Sequence, residues 1–375
     1  MNKDIYKTDM FSVTSMLVNL VAATAILFGS ISTVKMSQHD GWMSSILATL
    51  YGSYIVYIVY RLGMMFPGKT FIEYLPLIVG KIAGKILGAI YIVFFFYLTS
   101  SVLRIALALF YGTGAYKLTP PIVLALLLII VSTYAVLSGF EVISRVMSIY
   151  FPVIAVFYIL TICLAIPYMK LHALLPLGEA GFANVFKGSV VGFAYRGELF
   201  ILAMILPYMK APRDGLIAGN IASILLSFFL AGITITMVAV LGVETTIRST
   251  YAIFFLGDFI PPIGIKIFLI SLWIVAFWGK ISILQFTICS GISQLLNLKS
   301  YNYVVLPVAA LLVVLSFSFY RNVPDMLISI PATFPGVALF LEFLIPTLLL
   351  IIAWTKLKFS NNSESAPAAN VNSQS

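Results

Sequence analysis

The feature that most constrains this chain is a series of long apolar segments that recurs from one end to the other. Runs of about 18 or more apolar residues are typical of transmembrane α-helices, because about 20 residues of helix are needed to cross a hydrocarbon core of about 30 Å. The composition agrees, with 61% hydrophobic and only 9% charged residues and a mean hydropathy of +1.08. Soluble domains carry roughly 25% charged residues. The sequence therefore predicts an all-α polytopic membrane protein.

Ten membrane spans are predicted along the 375 residues. They are expected at about 11–34, 43–62, 86–113, 121–138, 142–169, 187–208, 215–241, 264–295, 302–320 and 337–357. Two further amphipathic stretches, 71–84 and 250–262, are too short or too interrupted to cross and are predicted to be interfacial or re-entrant. We expect one transmembrane bundle over 1–359. A disordered cytoplasmic tail is expected over 360–375, because that segment has too little apolar content to form a core.

The distribution of basic residues predicts the orientation of the bundle. Of the lysines and arginines outside the predicted membrane interior, twelve lie on the side of the N-terminus and seven on the other side. Cytoplasmic loops carry the excess of these residues, so both termini are predicted to be cytoplasmic. The net charge of +9 is spread over helix ends and forms no patch or arm. It therefore gives no indication of a nucleic-acid partner, and the lipid bilayer is the expected surrounding.

Features of the first five spans recur in the second five, at an offset of roughly 173–180 positions. The interfacial stretch from Phe71 matches the one from Thr250, and Arg104 inside span 3 has a counterpart in Lys280 inside span 8. The small-residue run "AATA" of span 1 likewise corresponds to "RGE" of span 6. These agreements indicate an internal repeat.

An odd number of spans per repeat requires the second half to enter the membrane in the opposite sense. The sequence therefore predicts a five-plus-five inverted repeat, with repeat one at about 11–169 and repeat two at about 187–357. This is the plan of many secondary transporters, in which the first and sixth helices are broken at the substrate site.

Five ionisable side chains lie inside predicted spans, namely Arg104, Arg196, Glu198, Lys280 and Glu342. Each costs about 2.5 kcal/mol or more at the centre of a bilayer, so such a residue usually faces a polar cavity. Glu342 lies near the outer end of its span, and we expect it either to snorkel toward the headgroups or to pair with a neighbour that only holds helices together. For Arg104, structural pairing and ligand contact both remain open. Lys280 is central and is interpreted as functional, either standing in for a transported cation or pairing with Glu198.

Arg196 and Glu198 are more informative together. On a continuous helix, residues two apart point to nearly opposite sides. If the helix unwinds at Gly197, both side chains can turn toward a central cavity, and the freed backbone groups become available to a ligand. We therefore expect a discontinuous sixth helix that suits a zwitterion, because half-helix N-termini favour a carboxylate while carbonyls and a glutamate favour an ammonium group.

Span 1 carries a weaker signal around Asn19 and Thr24, where small residues allow close approach of backbone to ligand. Tight helix packing is the alternative interpretation of those small residues.

No enzymatic site is predicted. His39 and His172 fall in predicted external loops without metal-ligand spacing, and no phosphate-binding glycine motif or activated nucleophile is found. Cys163 and Cys289 both lie in apolar spans and suggest no disulfide framework. Neither a cofactor nor a metal ion is expected.

Several segments resemble one known family over nearly the whole chain. They are "QHDGWMS" (38–44), "FPGKTFIEYLPLIVGKIAGKILG" (66–88), "VLRIALALFYGTGAYKLTPP" (102–121), "GFEVISRV" (139–146), "LLPLGE" (174–179) and "RGELFILAMILPYMK" (196–210). In these segments the chain is similar to the B subunits of bacterial spore germinant receptors, a branch of the amino acid–polyamine–organocation transporter superfamily. One difference is the run "ATAIL" (23–27), which lacks the glycine that related permeases carry in span 1.

The resemblance implies a nutrient sensor in the inner membrane of the dormant spore. Such subunits work with an A subunit, a membrane protein implicated in ion release, and with a C subunit, a lipoprotein. Their germinants are small molecules, typically amino acids. In relatives the ligand lies between spans 1, 3, 6 and 8. In this chain that implies a site near Thr24, Ala25, Val102, Arg104, Tyr195, Arg196, Gly197, Glu198, Leu199 and Lys280.

Two other functions remain open at this point. A secondary transporter that moves an amino acid or a related solute with protons or cations would have the same fold. An assembly subunit with a vestigial cavity is the third possibility.

Overall fold

The computed structural model describes residues 7–114, 118–259 and 265–364, and its regular structure is helical. Fifteen α-helices lie in these residues: α1 (Met10–Thr24), α2 (Ser30–Ser37), α3 (Gly41–Met65), α4 (Phe71–Val79), α5 (Lys81–Gly112), α6 (Pro121–Ser138), α7 (Phe140–Ala165), α8 (Gly181–Gly197), α9 (Leu202–Ile205), α10 (Gly215–Arg248), α11 (Ala252–Phe259), α12 (Ile265–Leu295), α13 (Asn302–Ser318), α14 (Val323–Ala338) and α15 (Ile345–Glu364).

These helices form ten membrane spans. In the described residues, eight continuous helical runs are long and apolar enough to cross a membrane. The first run, Met10–Met65, has 56 residues and holds two spans, because the chain turns at Gln38, where φ is 47°. The tenth crossing is the shorter apolar helix α13. We number the spans in chain order: 10–37, 41–65, α5, α6, α7, 181–208, α10, α12, α13 and 323–364.

Two short helices lie between spans at equivalent places in the two halves. α4 follows span 2 and has nine residues, and α11 follows span 7 and has eight, so neither can cross a bilayer. A capping box starts α4, in which the Glu73 carboxylate accepts from the backbone N–H of Thr70 at 2.8 Å. Both helices lie where the sequence predicted interfacial elements, although 260–262 of the second stretch fall outside the described residues.

The predicted interruptions of spans 1 and 6 are present as changes of helix type. Span 1 widens into a π-helix over Ala25–Gly29, and span 6 tightens into a 3₁₀-helix over Glu198–Ile201. The backbone is not unwound at Gly197, whose φ and ψ are −56° and −30°. The side chains that follow Gly197 therefore keep helical directions.

Span 10 carries an interruption that the sequence did not predict. A π-helix over Leu339–Leu344 joins α14 to α15 and contains Glu342. Single π segments inside α-helices are frequent at functional sites. At the far end, α15 continues to Glu364, so 360–364 are helical although a disordered tail was expected from 360. Residues 365–375 lie outside the described part of the chain.

The spans pack as two groups. In the first, α3 packs against α8 and α10, and α1 packs against α10, which unites spans 1, 2, 6 and 7. In the second, α12 packs against α5, α6 and α13, which unites spans 3, 4, 8 and 9. Contacts between α1 and α12 join the two groups. The helix-type changes of spans 1 and 6 lie on this junction.

Both ends of span 6 are tied to the N-terminal part of the chain. At one end Thr8 pairs with the chain beside Met209, where its N–H donates to Tyr208 O and its carbonyl accepts from Lys210 N, each at 2.9 Å.

At the other end Asp40 accepts from the backbone N–H groups of Gly178 at 3.0 Å and Ala180 at 3.2 Å. Nearby, the Ser44 hydroxyl donates to Val185 O at 2.8 Å. The loop between spans 1 and 2 is thereby fixed to the segment that leads into span 6.

Candidate ligand-binding site

A buried ion pair lies at the junction of the two helix groups. The Lys280 ammonium of span 8 donates to both carboxylate oxygens of Glu198 in span 6, at 2.8 and 2.6 Å. It also donates to the Thr24 hydroxyl of span 1 at 2.7 Å. Lys280 is fully buried and Glu198 is 3% exposed. An ammonium has three donors, so this geometry provides a partner for each of them.

A cavity of about 20 Å³ lies beside Glu198. It is lined by Thr24, Tyr97, Leu98, Ser101, Val102, Ile105, Tyr195, Glu198, Ile330 and Phe334. Spans 1, 3, 6 and 10 supply these residues. The volume holds about one water molecule, so the cavity is closed to larger molecules in this conformation.

One face of span 3 supplies half of the cavity lining. Tyr97, Ser101 and Ile105 are four residues apart and therefore lie along one side of α5. Val102 also lines the cavity.

Arg104 is two residues further along the helix than Val102 and does not line the cavity. Its guanidinium instead lies 5.3 Å from the centroid of the Phe317 ring of span 9, in cation–π geometry. Of the two interpretations left open, the structure favours structural pairing.

Span 6 divides its functional residues between two faces. Tyr195 and Glu198 are three residues apart and both line the cavity. Arg196 faces the opposite way, where its guanidinium donates to Ser45 O of span 2 at 2.9 Å and to the Ser227 hydroxyl of span 7 at 3.1 Å. The expectation that Arg196 and Glu198 turn into one cavity is wrong, because the helix stays helical through Gly197.

Leu199 shares the face of Arg196. It is fully buried, and its side chain lies against Gly52 of span 2, 3.2 Å from where a Cβ on that glycine would be. The predicted site residues Arg104, Arg196 and Leu199 therefore pack between helices, away from the cavity.

Gly197 brings span 10 close to span 6. A Cβ built on Gly197 would collide with a carboxylate oxygen of Glu342 and would lie 3.0 Å from its Cδ. Glu342 is only 1% exposed. The expectation that Glu342 snorkels toward the headgroups is therefore wrong: its side chain points into the protein, against the start of the 3₁₀ segment.

Span 1 is held against span 8 around its π segment. The Trp273 ring N–H donates to Ala23 O at 3.0 Å, and the Asn19 side-chain amide donates to Ala276 O at 3.1 Å. Thr24 lines the cavity, whereas Ala25, which opens the π segment, is buried but is not part of the lining.

The structure adds site residues that the sequence did not identify. Tyr97 and Ser101 have a detectable signal, since polar groups four residues apart mark one face of an apolar helix. Ile330 and Phe334 have none, because they lie in an apolar segment predicted to be outside the tenth span. The ring of Phe334 lies 5.5 Å from that of Tyr195, and this contact closes the cavity on the side of span 10.

Two other cavities lie away from the ion pair. One of about 50 Å³ is almost wholly apolar and lies between spans 1, 5, 7 and 8. The other, of about 560 Å³, lies between α4 and the end of α12 and is bordered by Lys69, Lys85 and Lys299. Neither of these cavities is lined by Glu198 or Lys280. The cavity of about 20 Å³ beside Glu198 is therefore the candidate ligand site, although it is the smallest of the three.

The family model described as "Spore germination protein" matches residues 7–324, which cover spans 1, 3 and 6 of the cavity lining and end at the start of span 10. The chain belongs to the spore germination protein family. Its fold and family indicate a receptor-like or transporter-like multi-pass membrane protein rather than an enzyme.

Two Bacillus subtilis (strain 168) proteins are similar to this spore germination protein over almost their full lengths. Spore germination protein YndE is 24% identical over 359 residues, which cover 92% of this chain and 95% of that protein. Spore germination protein KB is 25% identical over 345 residues, which cover 89% and 92%.

The fold of this family member is shared with solved transporters. A Na⁺-coupled sialic acid symporter, solved in a substrate-bound outward-open state, superposes with a TM-score of 0.63 at 12% sequence identity. The superposition covers 90% of this chain and 79% of the symporter. The likeness establishes that the chain has the fold of a solved transporter.

Proposed function

We propose that this protein is the B subunit of a spore germinant receptor and binds a small nutrient, an amino acid in the first instance, in the cavity beside Glu198. The observation that carries the proposal is the buried Glu198–Lys280 pair, which borders a cavity between spans 1, 3, 6 and 10. The similarity to germination proteins YndE and KB supports the same function.

The ion pair is chemically complementary to a zwitterion. Glu198 lines the cavity directly, so it is the group that an incoming ligand ammonium meets. Thr24 lines the cavity as well, and Lys280 lies behind both residues; their O–H and N–H groups offer donors for a carboxylate. An amino acid that inserts between Glu198 and Lys280 replaces one buried ion pair by two, so its charges remain compensated in a medium where an unpaired charge is costly.

The closed cavity gives ligand binding a structural consequence. A volume of about 20 Å³ cannot hold an amino acid, so the ligand binds a wider conformation better than this one. A ligand shifts a conformational equilibrium only by its difference in affinity for the two states. In the proposed receptor, nutrient binding moves the two helix groups apart at the ion pair, and partner subunits detect that movement.

The proposed setting follows from the family. The protein lies in the inner membrane of the spore with both termini in the cytoplasm, and it works with an A subunit in the membrane and a C subunit that is a lipoprotein. The excess of lysine and arginine on the side of the termini supports this orientation.

A germination assay tests the proposal. Spores lacking this protein are exposed to a panel of amino acids, nucleosides and sugars, and we expect selective loss of the response to one class of nutrient. Complementation with the wild-type chain should restore that response. Spores that respond normally to every nutrient would contradict the sensor function and favour an assembly subunit with a vestigial cavity.

Secondary transport of an amino acid, coupled to protons or cations, is the second candidate, and the superposition on a Na⁺-coupled symporter supports it. The test is counterflow of a labelled amino acid into liposomes that contain this chain alone. Sustained counterflow that requires Glu198 would establish transport and exclude a pure sensor.

A further inference from the structure

Glu342 is a buried carboxylate without a cationic partner. It is 1% exposed, and its Oε2 accepts no hydrogen bond. Among the side chains that the structure describes, in 7–114, 118–258 and 268–356, no lysine, arginine or histidine lies within ion-pair distance of it. The carboxyl group also plays no part in the Glu198–Lys280 pair.

None of the polar groups around Glu342 donates a hydrogen bond to its Oε2. On α5, the Tyr91 hydroxyl donates to Leu341 O at 2.5 Å. On α3, the ring of Tyr51 stacks on Phe343, and its hydroxyl makes no hydrogen bond. On α12, Lys280 donates to Glu198 and Thr24.

Two charged groups act on Glu342 electrostatically, the carboxylate of Glu198 and the ammonium of Lys280. They compensate one another, since they form the ion pair. Arg196 is a neighbour of Gly197 in sequence, but its guanidinium is directed to spans 2 and 7 on the other face of the helix. An ionised Glu342 would thus add an uncompensated negative charge beside Glu198.

Such a charge is strongly unfavourable in the protein interior. An isolated ionised carboxylate pays a large desolvation penalty, and a buried group of this kind binds a proton instead. A metal ion would need several ligand oxygens, and no group of three His, Cys, Asp or Glu side chains is found in the described residues. A proton needs only the one carboxyl group.

We propose that Glu342 is a proton-binding site that is occupied in this closed conformation. This inference does not depend on which nutrient binds, or on whether the protein senses or transports it.

Gly197 links this proton to the conformation of span 6. Because Gly197 has no side chain, the Glu342 carboxyl reaches the backbone where the α-helix gives way to the 3₁₀ segment that begins with Glu198. A neutral carboxyl can remain there. Loss of the proton places a second negative charge next to Glu198, and the closed arrangement becomes less favourable. Proton release is therefore coupled to separation of spans 6 and 10.

Infrared spectroscopy of the purified full chain in nanodiscs at pH 7 tests the proposal. A protonated carboxyl has a C=O stretch separate from the carboxylate bands. We expect that band to be lost in Glu342→Gln and retained in the control Glu244→Gln, which changes an exposed glutamate paired with Arg248. A band of equal intensity in the wild type and Glu342→Gln would overturn the proposal.

A second variant keeps the test decisive if Glu342→Gln does not accumulate. Glu342→Asp retains the acid but alters its surroundings, so the band should shift in position instead of disappearing. An unchanged band in Glu342→Asp would show that it belongs to another group. The wild-type band should also weaken as the pH is raised, and weakening on addition of Na⁺ at constant pH would overturn the proposal in favour of a cation site.

Glu342→Gln also provides a control on folding. Glutamine resembles the neutral acid in size and polarity, so the variant should unfold thermally at or above the midpoint of the wild type at pH 7. A markedly lower midpoint, with the infrared band unchanged, would indicate an ionised Glu342 with a structural role and would contradict the proposal.

Discussion

The ammonium group of Lys280 lies within 2.8 Å of both carboxylate oxygens of Glu198 and so joins the two helix groups through one buried ion pair. With Thr24 as the third acceptor, spans 1, 6 and 8 meet at a single nitrogen atom. The first prediction concerns what happens when one partner is removed.

Glu198→Gln and Lys280→Met should each destabilise the purified protein by about 3–5 kcal/mol, because either change leaves an uncompensated buried charge. The double variant, which leaves neither charge, should lose much less than the sum. Unfolding of the four proteins, analysed as a double-mutant cycle, gives the coupling between the two residues. Additive losses would mean that the pair contributes nothing as a unit.

The same double variant separates folding from sensing. It should accumulate in the spore membrane close to the wild-type level and yet fail to respond to the nutrient, because the ligand has lost both of its charged partners. A normal dependence on nutrient concentration in that variant would place the ligand elsewhere.

Gly197→Ala should destabilise the closed conformation by about 1–3 kcal/mol, the usual cost of overpacking, because the added methyl meets the Glu342 carboxyl. Combination with Glu342→Ala should recover part of the loss by removing the obstructing group. Gly336→Ala, in the tenth span that also carries Glu342, is the matched control, since a Cβ on Gly336 would enter open space. Thermal unfolding is measured for Gly197→Ala, Glu342→Ala, the variant that combines them and Gly336→Ala. Equal effects of the two glycine substitutions would show that the contact with Glu342 is unimportant.

Arg196→Met should reduce protein stability by about 1.5–3 kcal/mol, the usual contribution of a hydrogen bond to a charged group, and leave the nutrient concentration for half-maximal germination unchanged. The physical reason is that Arg196 donates to Ser45 and Ser227 on the face away from the cavity. Ser227→Ala is a milder control that removes one acceptor. A large change in nutrient sensitivity at a normal protein level would show that Arg196 contacts the ligand in another conformation.

Arg104→Gln and Phe317→Leu should have similar small effects on stability, about 0.5–1 kcal/mol, because each removes the same cation–π contact. Neither change should alter the response to nutrient. A loss of response with Arg104→Gln but not with Phe317→Leu would restore Arg104 to the list of ligand-contacting residues.

Much of the fold could be predicted because the bilayer imposes it. A span needs about 20 apolar residues whatever its neighbours, so the crossings and the two short helices were predictable from local sequence. The changes of helix type in spans 1 and 6 were expected at the right positions, but their form was not. Whether a helix unwinds or only changes its hydrogen-bond register is decided by packing, as between Gly197 and Glu342.

The candidate site was predictable where charge marked it. Glu198 and Lys280 are conspicuous in an apolar chain, and the structure brings them together. Arg196 and Arg104 are equally conspicuous in the sequence, yet both side chains contact neighbouring helices and not the cavity. The sequence alone does not show which face of its helix each side chain occupies. The orientation of Glu342 was predicted wrongly, because its position near the end of the span was taken to mean that the side chain reaches the headgroups. In the structure Glu342 lies in the π segment and its side chain is buried.

The two ties at the ends of span 6 restrict how the cavity can open. Thr8 holds the start of span 1 to the end of span 6, and Asp40 holds the end of span 1 to the approach of span 6. Spans 1 and 6 are therefore held to each other at both ends, and we expect them to move together. A movement of the two spans away from α12 would separate Glu198 from Lys280, so a solute that binds at this ion pair would act where the two helix groups are joined.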